Sequence, residues 1–155
     1  MSRARVLVGD KAPDFSLPSQ AGDVVKLSDF IGKKNVVLYF YPKDFTVGCT
    51  KEARTFKGLY DELRKFDAEV IGVSSDSVDS HKGFAENCGL PYPILSDEEK
   101  KVRALYSVPS TLGIISGRVT YIIDKEGIVR GVFSSQLQPE RHVREALDVL
   151  KSIAN

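Results

Sequence analysis

The stretch "NVVLYFYP", Asn35 to Pro42, limits the possible folds more than any other part of the chain. Its apolar run, Val36 to Tyr41, is far shorter than the roughly 20 residues that span a bilayer, and Pro42 stops any helix from continuing. A short run with no polar face suits a strand buried on both sides. Such a strand needs cover above and below. The next segment offers it: Ala53, Phe56, Tyr60, Leu63 and Phe66 recur at spacings of three and four, which predicts one helix from Cys49 to Phe66 with an apolar face.

The alternation then repeats. "EVIGVSS" from Glu69 reads as a strand, and "SVDSHKGFAENCG" from Ser77 as a helix capped by Gly89. Ser96 and Glu99 have capping-box spacing, which predicts a short helix through Leu105. "VTYIID" and "GIVRGVF", on either side of Lys125-Glu126-Gly127, predict a hairpin. Pro139 opens a last helix with Val143, Ala146, Leu147, Leu150 and Ile153 on one face. Upstream, Phe15 to Leu17 and Val24 to Leu27 form two short extended pieces joined at Gly22-Asp23. The expected class is α/β: a thioredoxin-like three-layer sandwich with a central mixed β-sheet and an N-terminal β-hairpin, in one domain spanning residues 1–155.

With 42% apolar residues, a chain of 155 residues can bury a core of its own, as domains near this size bury about 70% of their unfolded surface. A formal charge of +1, from 22 basic and 21 acidic residues spread along the chain, argues against a nucleic-acid stripe or a membrane-seeking face. Lys33-Lys34 and Lys100-Lys101 read as solvated surface. The opening "MSRARVLVGD" has too short an apolar run for a secretory signal, so a soluble, cytoplasmic protein is expected. Two cysteines 88 − 49 = 39 positions apart do not form a secreted disulfide framework. In a reducing compartment a bridge between them is more naturally catalytic than structural.

Cys49 falls at the head of the first predicted helix, after the turn "FTVG". Thr46 is expected as N-cap, its hydroxyl oxygen accepting an orphan backbone N–H, with Gly48 allowing close approach to the backbone. A helix dipole favours an anion there by only about 1 to 2 kcal/mol, so a nucleophilic thiolate needs a second positive charge. Arginine suits this, being always charged and able to orient two donors. Arg118, in "SGRVTYIID", opens a strand expected in the central sheet, with its end toward that helix. Cys49 could instead be a small buried hydrophobe, Cys88 an inert packing thiol and Arg118 a surface cation. His81 and His142 lie on predicted helices among polar residues and read as surface. No Cys or His pair has the short spacing of a zinc site, and Tyr39, Phe40 and Tyr41 read as core and pocket wall.

"PKDFTVGCTKE" resembles the peroxiredoxin active-site pattern, and the wider "LYFYPKDFTVGCTKEA" is similar to the Q-type subfamily, the bacterioferritin comigratory proteins. The likeness continues through "GDKAPDFSLPSQAG", "LSDF", "YPILSDEEK" and "GRVTYIIDKEGIV", in the expected order over nearly the whole chain. It implies reduction of hydrogen peroxide and organic hydroperoxides by a cysteine thiolate, without metal, haem, flavin or other cofactor. By the resemblance, Cys49 is the peroxidatic cysteine, Thr46 bonds its sulfur and the peroxide, and Pro42 shields the thiolate. Arg118 stabilises the thiolate and polarises the peroxide, while Glu52 helps hold the hydrogen-bond network.

Two positions depart from the subfamily. Val47 stands where proline is frequent, and Arg54 where many members carry the resolving cysteine. Other members keep that cysteine in the following helix, which makes Cys88 the resolving cysteine here, with local unwinding needed to bring the thiols together. A thioredoxin-like or glutaredoxin-like reductant is then the expected partner, alongside the peroxide substrate, in a monomer or weak dimer with no nucleic acid or membrane. The alternatives are a one-cysteine peroxidase resolved by an external thiol, a peroxide-responsive sensor, and a disulfide oxidoreductase, which the lack of C-x-x-C weakens.

Overall fold

The computed structural model describes residues 6–108, 110–111 and 115–154, so Arg3 and Arg5 of the opening segment and the terminal Asn155 lie outside the described residues. Strand β3, Asn35–Phe40, is the centre of a five-stranded sheet. It pairs in parallel with β4, Ala68–Ser74, and antiparallel with β8, Val119–Ile123; β5, Ile94–Ser96, and β9, Val129–Ser134, form the edges. The order β5-β4-β3-β8-β9 is the mixed sheet expected, with the crossover strands parallel and the late hairpin antiparallel.

Alternation along β3 divides the core in two. Val37 and Tyr39 point into one cluster, with Ala53 and Phe56 of α1 (Val47–Gly58), Leu63 of α2 (Tyr60–Arg64), Phe84 of α3 (Val78–Cys88) and Val143, Ala146 and Leu150 of α5 (Pro139–Ile153). Val36, Leu38 and Phe40 point the other way, onto Phe15, Leu27, and Val102 and Tyr106 around α4 (Lys101–Leu105). This is the thioredoxin-like layering. The N-terminal hairpin, β1 (Ser16–Pro18) with β2 (Val24–Lys26), is present, and Gln20 fastens its turn to the β5 side through Tyr92 O and Ile94 N. Two further short strands, β6 (Ser110–Thr111) and β7 (Ile115–Ser116), pair with each other.

Four expectations need correction. Cys49 to Phe66 is two helices, because Gly58 weakens the helix and Leu59 leaves helical geometry at φ −107°, ψ 11°. Leu27 belongs to a 3₁₀ turn, Leu27–Asp29, outside β2. Ser96 ends β5 and donates its hydroxyl to Asp76 O, so it does not cap α4. The carboxylate of Asp97 accepts the Val102 and Arg103 N–H groups instead. Finally, His81 and His142 are fully buried.

Candidate active site

Strand β3 delivers the chain to Pro42, half-buried, and the loop that follows turns sharply at Phe45, whose φ is +65°. Thr46 then takes the N-cap position of α1, but it makes no side-chain capping bond. Its hydroxyl donates to Lys43 O at 2.9 Å, since the turn at Phe45 aims it back along the loop. The expected cap bond is therefore absent, and Thr46 stands exposed at the rim with its lone pairs free of the helix.

Cys49 sits in the first turn of α1 and is 1% exposed. Arg118, directly before β8, reaches it: Nη2 donates to Cys49 Sγ at 3.4 Å and Nη1 to Glu52 Oε1 at 2.5 Å, while Nε bonds Gln136 O. Gly48 permits this approach, because a Cβ there would lie 3.1 Å from Nη2. Burial alone would lower the Arg118 pKa, yet its acidic neighbours Glu52 and Cys49 hold it above its ordinary value, so the guanidinium stays charged. Glu52, one helical turn after Cys49, is wholly buried; burial raises its carboxyl to about 8, with Arg118 opposing the rise.

Cys49, Glu52 and Arg118 thus come together, with Thr46 three residues before the sulfur. Cys88 is placed differently. It is a free, buried thiol in the last turn of α3, in the same apolar cluster as Cys49, and Lys57 Nζ bonds its carbonyl at 3.1 Å. Arg54 is exposed on α1.

Two neighbouring groups escaped the reading of the sequence. His142, on α5, lies with its Nδ1 3.7 Å from Glu52 Oε2 and 2.8 Å from Thr120 Oγ1, and its Nε2 2.8 Å from Ser135 O. Burial drives it down to about 4. His81 and Asp44 form the second group. Asp44 accepts bonds from the hydroxyls of Tyr41 and Ser80 and lies 2.7 Å from His81 Nδ1, while His81 Nε2 faces Leu95 O at 2.9 Å. The ring thus lies between the Asp44 carboxyl and a backbone carbonyl, and the pair ties the loop after β3 to helix α3. Their signal was in the spacing: His81 shares a stripe with Phe84, Ala85 and Cys88, and His142 with Ala146 and Leu150, all buried. Among the described residues, Asp44, Asp76 and His81 bring donor atoms within 4.8 Å of one another, and protein hydrogen bonds already engage all three. No helix of the described residues is long and apolar enough to cross a membrane.

The chain and its fold resemble known proteins. Residues 8–132 match the model of the AhpC/TSA family. A chloroplastic peroxiredoxin Q of Sedum lineare is 49% identical over 97% of this chain and 81% of its own length. The crystal structure of peroxidoxin BcpB from Mycobacterium tuberculosis superposes with a TM-score of 0.88 at 38% identity, covering 94% of this chain and 97% of that one. A bacterioferritin comigratory protein of Xanthomonas campestris, studied for its alkyl peroxide reduction activity, superposes with a TM-score of 0.83 at 31% identity over 91% of this chain and 92% of its own. With a buried thiol at a helix head, an arginine upon it and likeness over nearly its whole length, the chain belongs to the AhpC/TSA family as a Q-type peroxiredoxin, a thiol-dependent peroxidase.

Proposed function

We propose that this peroxidase works with two cysteines, Cys49 attacking the peroxide and Cys88 resolving the product. The observation that carries the reading is the Arg118 guanidinium on Cys49 Sγ at 3.4 Å, with both residues buried at the start of α1. The thiolate attacks one peroxide oxygen; the S–O bond forms as the O–O bond breaks, leaving a sulfenic acid and an alkoxide or hydroxide. Arg118 supports the charge that moves to the leaving oxygen, Thr46 offers its hydroxyl at the rim, and Pro42 keeps solvent from the sulfur. Hydrogen peroxide and organic hydroperoxides are the substrates, the latter in keeping with the alkyl peroxide activity named for the Xanthomonas relative. Neither metal nor organic cofactor takes part.

Resolution requires movement. Cys49 lies in the first turn of α1 and Cys88 in the last turn of α3, on two separate intact helices. A disulfide needs Cα atoms within about 7 Å. The ends of α1 and α3 therefore unwind before the Cys88 thiol displaces water from the sulfenic acid, and a thioredoxin-like donor reopens the bridge by thiol exchange. The enzyme acts as one domain, a monomer or weak dimer, in a reducing compartment, in the first instance the cytoplasm. The deep burial of Cys88 also favours a second reading, in which Cys49 works alone and an external thiol resolves it.

Peroxide consumption with a thioredoxin system, measured for the wild type, Cys49→Ser and Cys88→Ser, separates these readings. The first variant is expected to be inactive, and the second to react once and stall as a sulfenic acid that a small thiol rescues. Undiminished thioredoxin-linked turnover without Cys88 overturns its role, and turnover without Cys49 overturns the whole reading.

A further inference from the structure

Among the described residues, the Arg118 guanidinium bonds two acidic neighbours here, the Cys49 thiol and the Glu52 carboxyl. All three are nearly sealed from water, at 5%, 1% and 0% exposure. Two anions facing one cation there would leave an uncompensated buried negative charge, which is costly. The second carboxyl oxygen shows how this is avoided. Glu52 Oε1 is taken by Arg118, but Oε2 is buried and receives no hydrogen bond. Beside it, at 3.7 Å, stands His142 Nδ1. Nε2 of that ring faces a carbonyl, Ser135 O, which only accepts, so the ring's hydrogen is on Nε2. A ring driven down to about 4 carries no second proton at neutral pH, which leaves Nδ1 bare, accepting from Thr120. An ionised Oε2 would set lone pair against lone pair. A proton on Oε2 removes that repulsion and turns a donor toward Nδ1, 3.7 Å away.

The other titratable groups facing Glu52 do not change this count. From β3 and the segment before β5 come the Tyr39 and Tyr92 hydroxyls, which bond each other and are both held neutral by burial. The rise of Glu52 to about 8 agrees with the geometry.

We propose that Glu52 is a carboxylic acid while Cys49 is a thiolate, and that it releases its proton as the sulfur loses its charge, so that the pocket keeps one negative charge throughout. This rests on the assignment of Cys49 as the attacking thiol. The step balances: Cys49 thiolate, Glu52 acid and ROOH become Cys49 sulfenic acid, Glu52 carboxylate and ROH. The S–O bond forms, the O–O bond breaks, sulfur is oxidised and the peroxide reduced, and the proton from Glu52 ends on the leaving oxygen. Arg118 then exchanges its thiolate partner for a carboxylate without moving. Glu52 is thus a positioning residue for charge, set by its proton rather than by its hydrogen bond alone.

The test is proton stoichiometry in a Cys88→Ser background, which stops at the sulfenic acid. Reduced protein is mixed with one equivalent of hydrogen peroxide near neutral pH in weak buffer with an indicator dye. With Glu52 present, sulfur oxidation is expected to draw no proton from solvent; with Glu52→Gln, one proton per sulfur. A purely structural Glu52 would give equal uptake in both proteins, overturning the proposal. Infrared difference spectra provide a second measurement that stands even if the Gln variant reacts poorly. A protonated-carboxyl band should vanish on oxidation of the Glu52 protein, and its absence in the reduced state refutes the idea. Failure of both proteins to form any sulfenic acid would instead sink the assignment of Cys49.

Discussion

The raised carboxyl of Glu52 makes the stability of the fold depend on pH. The carboxyl titrates near 4.5 in the open chain and near 8 in the fold. Between those values the folded state binds the extra proton, so the stabilising contribution is full below the lower value and is lost as pH rises to the upper one. A difference of 8 − 4.5 = 3.5 units, at about 1.36 kcal/mol each, is about 5 kcal/mol in all, of which about 3 kcal/mol falls between roughly pH 5 and pH 8. Glu52→Gln keeps an acceptor for Arg118 and a donor toward His142 but cannot titrate. In the reduced protein, with Cys49 kept in both variants, urea unfolding can be followed by tyrosine fluorescence, as the chain has 6 tyrosines and no tryptophan. The protein with Glu52 should lose about 3 kcal/mol more than the Gln variant across that range. The titration of His142 is common to both proteins and cancels in the comparison to first order. Parallel pH dependences would refute the reasoning.

Three further outcomes follow from the same contacts. Arg118→Lys keeps a charge but loses the fork that spans Cys49 and Glu52; the bimolecular rate with peroxide, measured by stopped flow, should fall on the order of 10²-fold, and a near-normal rate would show that the fork is dispensable. Asp44→Asn weakens a buried hydrogen-bond network that joins Tyr41, Ser80 and His81, which should cost about 1 to 3 kcal/mol in urea unfolding; a loss under about 0.5 kcal/mol would contradict that role. Lys57→Met removes the cation on the Cys88 carbonyl and should loosen the end of α3 by about 0.3 to 1 kcal/mol. Disulfide formation after a peroxide pulse, timed by mass spectrometry of quenched samples, should then quicken several-fold, whereas a slower bridge would mean that Lys57 aids resolution.

The local chemistry of the chain was legible without coordinates. The run from Val36 to Tyr41 required a doubly covered strand, the spacing of three and four marked the helices, and a threonine-to-cysteine turn at a helix head singled out the thiol proposed as nucleophile, because each depends on neighbours in sequence. The break at Leu59 was hidden, since Gly58 alone is a weak signal in an otherwise periodic stretch. Capping of α4 went to Asp97 rather than Ser96 because β5 claims Ser96 through a partner twenty residues away, Asp76.

The histidines mark the boundary between the two kinds of information. Polar neighbours in sequence make His81 and His142 read as surface although their spacing shares a stripe with apolar residues, and what they face comes from other parts of the chain: Asp44 on a loop, Glu52 on another helix. Arg118 is 118 − 49 = 69 residues from the sulfur it bonds, and only the antiparallel pairing of β8 with β3 brings it there. Sequence therefore determined the elements and the thiol's place at a helix end, where short-range forces act. The charge balance around that thiol was decided by the tertiary fold, because desolvation and the sharing of one guanidinium by two acids exist only once distant segments are packed together.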